Sequence, residues 1–292
     1  MITRRTLLFL SALSALAACA TNSMAEAPYT QTENVVFAEI DGVGLLMDIF
    51  TPTGKSNGLG MVDVASGAFH SDRGKINDHK RAQVYDTFCG KGYTVFAVRP
   101  GSITKFSLAE MGANLKQGVR WVKTHADQYK IDPSRLGITG GSAGGHLASL
   151  VALTADDKTA VQAAGVFFPP TDFVEYRGSK LEDLDAAGLD RIKRFVSPSG
   201  VAPVSTSELI EKLTLISPAR LVTSKAPPFL IIHGDADPIV PLQQSEKLLA
   251  ALKAAGVPCE LIIKKGGGHP WPTIHEEVLV MADWFDEQLA NK

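Results

Sequence analysis

The sequence predicts an α/β chain, with one mostly parallel sheet of eight strands covered by helices on both faces. Three observations predict it. Short apolar runs alternate with stretches of helical apolar spacing along most of the 292 residues. Those runs read as near-continuously apolar, which suits strands buried on both faces. The composition is globular, 45% hydrophobic and 21% charged, with no internal repeat or low-complexity run. A chain of this length can bury one large core. The net charge of −2, with no Lys/Arg cluster, argues against a nucleic-acid partner.

The first residues read as a targeting segment. Arg4-Arg5 form a positive n-region, and Leu7 to Ala18 form an apolar run well short of the roughly 20 residues that span a bilayer. Residues 1–18 are therefore expected to be a signal peptide. Leu16-Ala17-Ala18-Cys19 resembles a bacterial lipobox, which implies acylation of Cys19 and a periplasmic or membrane-anchored lipoprotein. The rival is cleavage after Ser23-Met24-Ala25, with Cys19 removed. Beyond that lipid anchor no membrane contact is expected, and the oligomeric state is left open.

After a polar linker over 19–34, the main domain is expected over 35–292. Val35–Ile40, the Asp41-Gly42 turn and Leu45–Phe50 read as a hairpin. Gly60–Ala65 is the next strand, a helix covers Asp78–Lys91, and a strand follows over Tyr93–Val98. Helical spacing runs over 108–127 through Leu115, Val119 and Val122. Arg135–Thr139 and Ala164–Phe168 are strands, the second stopped by Pro169-Pro170. From Thr171 to Pro228 the alternation breaks. This stretch is expected to be a lid insertion with helices over Leu181–Val196 and after Ser205, where Ser205 and Glu208 have capping-box spacing. Regular structure resumes with Phe229–Ile232, a helix over Leu242–Ala255, strand Glu260–Ile263 and a helix over Glu276–Leu289. Cys89 and Cys259 are expected as separate buried thiols, although an oxidising compartment would permit pairing.

Gly140-Gly141-Ser142-Ala143-Gly144-Gly145-His146 joins a strand to the helix-forming run Leu147–Leu153. A strand that turns into a helix within about two residues strains its corner residue, and only small neighbours fit around it. Such a corner lifts the Ser142 hydroxyl to a helix N-terminus, where N–H groups and the dipole favour developing negative charge. Ser142 is the candidate nucleophile; a plain glycine-rich turn is the alternative.

A serine hydroxyl needs a base, and the base needs an orienting carboxylate. In open α/β sheets such groups gather at the carboxyl ends of strands. Ile232-His233-Gly234-Asp235-Ala236-Asp237-Pro238 offers two aspartates, and spacing leaves Asp235 and Asp237 both open. His233, at the strand end, reads as structural. Lys265-Gly266-Gly267-Gly268-His269-Pro270-Trp271 offers His269, on a glycine loop free to swing toward Ser142, as the base. His275 lies close to the final helix and His146 one turn past Ser142, so both are set aside. An oxyanion needs two backbone N–H groups. Ala143 should give one, and Gly67 or Ala68, in the turn Ser66-Gly67-Ala68-Phe69, the other.

These segments resemble bacterial α/β-hydrolase esterases, of the acetylxylan/feruloyl-esterase-like branch and its hormone-sensitive-lipase relatives. Gly140–Ala148, Ile131-Asp132-Pro133-Ser134-Arg135-Leu136 and Ala226–Asp237 carry the likeness, which covers residues 45–290. It implies the α/β-hydrolase fold and the chain order serine, aspartate, histidine, and it selects Asp237 over Asp235. It also implies hydrolysis of a small-molecule carboxylic ester through Ser142, His269 and Asp237, without metal or organic cofactor. One departure stands out: the family usually has His-Gly-Gly at the oxyanion turn, whereas this chain has Ala65-Ser66-Gly67. A peptidase of the prolyl-oligopeptidase type is the alternative, although those enzymes usually carry a propeller domain ahead of the catalytic one. A non-catalytic binding lipoprotein is the third reading, and loss of a triad residue would mark it.

Overall fold

In the computed structural model, which describes residues 26–197 and 205–290, the eight expected strands form one sheet. They are β1 (Tyr29–Ile40), β2 (Val43–Pro52), β3 (Gly60–Val64), β4 (Thr94–Arg99), β5 (Leu136–Gly141) and β6 (Ala163–Phe167). After a separate small hairpin of β7 (Glu175–Tyr176) and β8 (Ser179–Lys180) come β9 (Phe229–Gly234) and β10 (Cys259–Lys264). The spatial order is β1-β2-β4-β3-β5-β6-β9-β10. Within this sheet only the β1–β2 and β2–β4 pairs are antiparallel.

The helices are α1 (Arg73–Arg81), α2 (Val84–Gly90), α3 (Leu108–Thr124), α4 (Ala143–Leu153), α5 (Ala186–Val196), α6 (Thr206–Thr214), α7 (Gln243–Ala254) and α8 (Ile274–Ala290). Leu115 of α3, Leu147 of α4 and Leu248 of α7 lie in the core on one face of the sheet. Ile76 of α1, Phe88 of α2 and Phe285 of α8 lie in the core on the other. Every residue of β3, β6 and β9 is buried, which is why these strands read as unbroken apolar runs.

Three expectations need correction. β1 begins at Tyr29, inside the expected linker, because its polar residues pair with a buried carboxylate. Gln31 Nε2 donates to Asp48 Oδ2 at 2.7 Å and the Asn34 N–H to Asp48 Oδ1 at 3.2 Å. The helix expected over 78–91 is two helices, broken at Gln83, whose φ is +58°. Beyond the break Tyr85 and Phe88 are both buried, and Tyr85 stacks on Phe50 with ring centroids 3.7 Å apart. α4 begins at Ala143, directly after Ser142 as the corner requires, so Gly144 and Gly145 are helical despite their low propensity. In the insertion, Leu181–Asp183 is a short 3-10 turn and α5 starts only at Ala186, where the Asp185 carboxylate accepts the Gly188 N–H at 2.7 Å. α6 follows Ser205 as expected, with Ser205 Oγ accepting the Glu208 N–H.

Residues 1–25, which include the expected leader and Cys19, lie outside the described residues, as do 198–204 within the insertion. Cys89 and Cys259 are separate thiols; Cys89 is buried but Cys259 only half-buried. The insertion is anchored at its base. Asp172 accepts from Arg220 at 2.7 and 3.0 Å and from Lys247 at 2.9 Å, while Gln244 Oε1 accepts the Thr171 and Asp172 N–H groups. Charge and hydrogen bonds from Arg220 and Lys247 outweigh the burial that would raise the Asp172 pKa, and lower it.

Candidate active site

β5 is a central strand, and the chain turns from it into α4 at one residue. Ser142 has φ +53° and ψ −120°, the strained corner expected of it. The surrounding glycines are enforced by contact. A Cβ at Gly144 would fall 2.3 Å from the Val64 carbonyl oxygen, and one at Gly140 would fall 2.6 Å from the Gly144 carbonyl carbon. The tight fit of β3, β5 and α4 therefore sets where the hydroxyl stands.

His269 Nε2 lies 2.9 Å from Ser142 Oγ, and His269 Nδ1 lies 2.6 Å from Asp237 Oδ2. With Nδ1–H donating to the carboxylate, Nε2 can accept the serine proton. Asp237 Oδ1 also accepts the Ile239 and Val240 N–H groups at 2.8 and 2.9 Å. Burial would raise its pKa, but bonds from His233, His269 and these two amides outweigh burial and hold the carboxyl well below the usual carboxylate range. The group is thus a fixed negative charge behind the His269 ring.

The alternatives find structural places. Asp235 accepts the Gly266 N–H at 2.6 Å and so braces the His269 loop. That loop is tied rather than free to swing: the Gly267 N–H donates to Lys264 O, and Gly267 O accepts from Ala236. His233 is buried between Ser245 Oγ at 2.6 Å and Val240 O at 2.9 Å. His146 is buried with Nδ1 on Pro170 O, and burial pushes its pKa down to about 4. His275 sits in the first turn of α8.

Of the expected oxyanion donors, Gly67 is ruled out, because its N–H donates to His70 O at 3.0 Å in a small bridge. The Ala68 and Ala143 N–H groups have no backbone partner among the described residues, and Ala143 is the first residue of α4, where none is due. Ala68 has φ +48°. Both residues line a 710 Å³ cavity with Ser142. Leu181, Leu184, Ile192 and Phe195 of the insertion cover this cavity, and Arg177 donates to Pro238 O and Ile239 O beside Asp237.

A second cavity, of 690 Å³, also meets Ser142 and His269, and holds a pair that the sequence reading missed. The buried Asp63 of β3 and the half-buried His79 of α1 are hydrogen-bonded to each other in its wall. An aspartate inside an otherwise apolar strand was the available signal.

The family described as BD-FAE matches residues 47–252. Esterase LipQ of Mycobacterium tuberculosis is 36% identical over 49% of this chain, and the match covers 34% of that protein's length. Acetylxylan esterase of Xylanibacter ruminicola is 25% identical over 84% of this chain and 49% of its own. The chain thus spans about a third to a half of the length of these curated relatives. Among solved structures, a truncated carbohydrate esterase from gut microbiota superposes with a TM-score of 0.77 at 25% identity, over 91% of this chain and 99% of that one. The mostly parallel sheet flanked by helices is the α/β-hydrolase fold.

Proposed function

The chain belongs to the BD-FAE family, and from that premise we propose that it hydrolyses carboxylic esters of small molecules by acyl transfer through Ser142. The observation that carries this reading is the unbroken hydrogen-bonded line from Ser142 Oγ through His269 to Asp237. The esterase names borne by relatives and by the structural neighbour support the substrate class.

Ser142 Oγ attacks the acyl carbon while His269 Nε2 takes its proton, and Asp237 stabilises the imidazolium that forms. The Ala143 and Ala68 N–H groups receive the developing oxyanion. His269 then returns the proton to the leaving alkoxide, and water repeats the sequence on the acyl-enzyme. The insertion over 171–228 acts as the lid of the alcohol or acyl pocket. Steady-state turnover of p-nitrophenyl butyrate and its anilide tests this. Ser142→Ala should lower kcat for the ester by roughly four orders of magnitude or more. An unchanged rate would refute the assignment, and faster turnover of the anilide would move the reading to a peptidase.

Residues 1–18 direct export, with Cys19 the acylated first residue of the mature chain; the charged n-region, short apolar run and Leu16–Cys19 support this. Mass spectrometry of the mature N-terminus decides it. A lipid-modified Cys19 is expected, whereas a chain starting at Glu26 would contradict the anchor and one starting at Met1 would contradict export.

A further inference from the structure

The 690 Å³ cavity is lined, besides Ser142 and His269, by a second aspartate–histidine pair that acyl transfer leaves unused. Asp63 is 1% exposed, in the middle of a strand whose every residue is buried. His79 Nδ1 lies 2.7 Å from Asp63 Oδ2, and the Tyr85 hydroxyl donates to the same oxygen at 3.0 Å. Burying a carboxylate is costly even when it is hydrogen-bonded, and apolar residues of similar volume commonly serve such a position at least as well, so stability alone does not account for this pair.

The other ring nitrogen, Nε2, is left free by this pairing. His79 Nε2 has no hydrogen-bond partner among the described residues, and it is not one of the sealed, unpartnered polar atoms of the interior. His79 lines the same cavity as Ser142 and His269. Of the other charged groups there, Asp78 pairs with Lys75 at 3.6 Å and with Arg81, so one carboxylate serves two cations. Val84, Phe88, Ile274 and Met281 give the rest of the wall an apolar character. His79 Nε2 is therefore a polar group in the wall of a cavity that also meets the nucleophile.

Resting on the reading of Ser142 as an acyl-transfer nucleophile, we propose that His79 is a specificity-determining residue whose Nε2 binds a hydroxyl group on the half of the ester that enters this cavity. Burial opposes charge on the His79 ring, but the charge and hydrogen bond of Asp63 outweigh it and raise the pKa. Nε2 donates when the ring is protonated and accepts when it is neutral. A hydroxyl satisfies both states, because it can do either; a carbonyl satisfies only the first.

The test uses matched esters that differ by one hydroxyl: p-nitrophenyl butyrate against p-nitrophenyl 3-hydroxybutyrate, and propyl butyrate against 3-hydroxypropyl butyrate. His79→Asn is the informative variant, since Asn Nδ2 takes the place of the ring Nδ1 and keeps a partner for Asp63 while nothing replaces Nε2. In wild type the hydroxylated member of one pair is favoured. His79→Asn should lower its kcat/KM by about tenfold, the change residing in KM, and leave the plain ester within about twofold. His79→Gln, whose amide nitrogen falls near the Nε2 position, should recover part of the loss. The same ratio should appear in the dissociation constants of the esters for Ser142→Ala. Equal ratios in wild type and His79→Asn, or an equal fall for both members of each pair, would overturn the proposal. Turnover by Ser142→Ala would refute the nucleophile instead, and the rate ratio of the matched pair would still decide the role of His79.

Discussion

Replacing Ser142 by alanine and by glycine separates the strain of the nucleophile corner from its hydrogen bond. The corner sits at φ +53°, ψ −120°. Glycine enters this region freely, whereas a residue with a Cβ is disfavoured there by about 1–3 kcal/mol. Both variants lose the hydroxyl and its 2.9 Å bond with His269, so that loss cancels between them. At an unstrained position glycine is less stable than alanine by about 0.5–1 kcal/mol, mainly through the freedom of the unfolded chain. Here relief of strain outweighs that difference. Ser142→Gly is expected to be the more stable by about 1 kcal/mol, or about 2–4 °C in Tm for a chain of this size. Urea unfolding of the two variants, with equal m-values, measures the difference. Alanine more stable than glycine by the ordinary margin would refute the strained corner.

Four further outcomes are expected. Asp237→Asn should lower kcat for ester hydrolysis by about 10³–10⁴-fold, because an amide cannot stabilise the imidazolium. Asp235→Asn, at a residue that only braces Gly266, should stay within about threefold of wild type. Burial pushes the His146 pKa down to about 4, so the folded state resists a proton that the unfolded state binds below about 6.5. Stability from this group is complete above pH 6.5 and lost as pH falls toward 4, by up to about 3 kcal/mol. Denaturant titrations across that window should show a shallower loss in His146→Asn, and an unchanged slope would contradict the buried neutral ring. Burial likewise pushes the Cys89 thiol up to about 12, so Ellman's reagent followed by peptide mapping should find it unlabelled at pH 8 until the chain unfolds.

The strands were legible because nearly every side chain in β3, β6 and β9 is buried, which leaves apolar runs in the sequence. The first half of β1, over 29–34, was not, since it lies in an edge strand with many exposed residues, and its Gln31 and Asn34 serve Asp48 rather than the core. The break at Gln83 carries no glycine or proline; the core contacts of Tyr85 and Phe88 override local preference. Ser142, Asp237 and His269 could be read from strand-end motifs in a known chain order. Loss of the Gly67 N–H to His70 could not, because a bridge three residues away leaves no mark in composition. Asp63 stood out as a carboxylate in an apolar strand, but its partner His79 did not, because the pair joins a strand to a helix across a loop.

Labelling with a fluorophosphonate, followed by tryptic mass spectrometry, tests the central claim most directly. The phosphonyl adduct should appear on the peptide containing Ser142, vanish in Ser142→Ala, and form far more slowly in His269→Gln, in parallel with loss of ester hydrolysis. Ester hydrolysis that persists without an adduct on Ser142, or an adduct on another residue that tracks activity, would contradict the account.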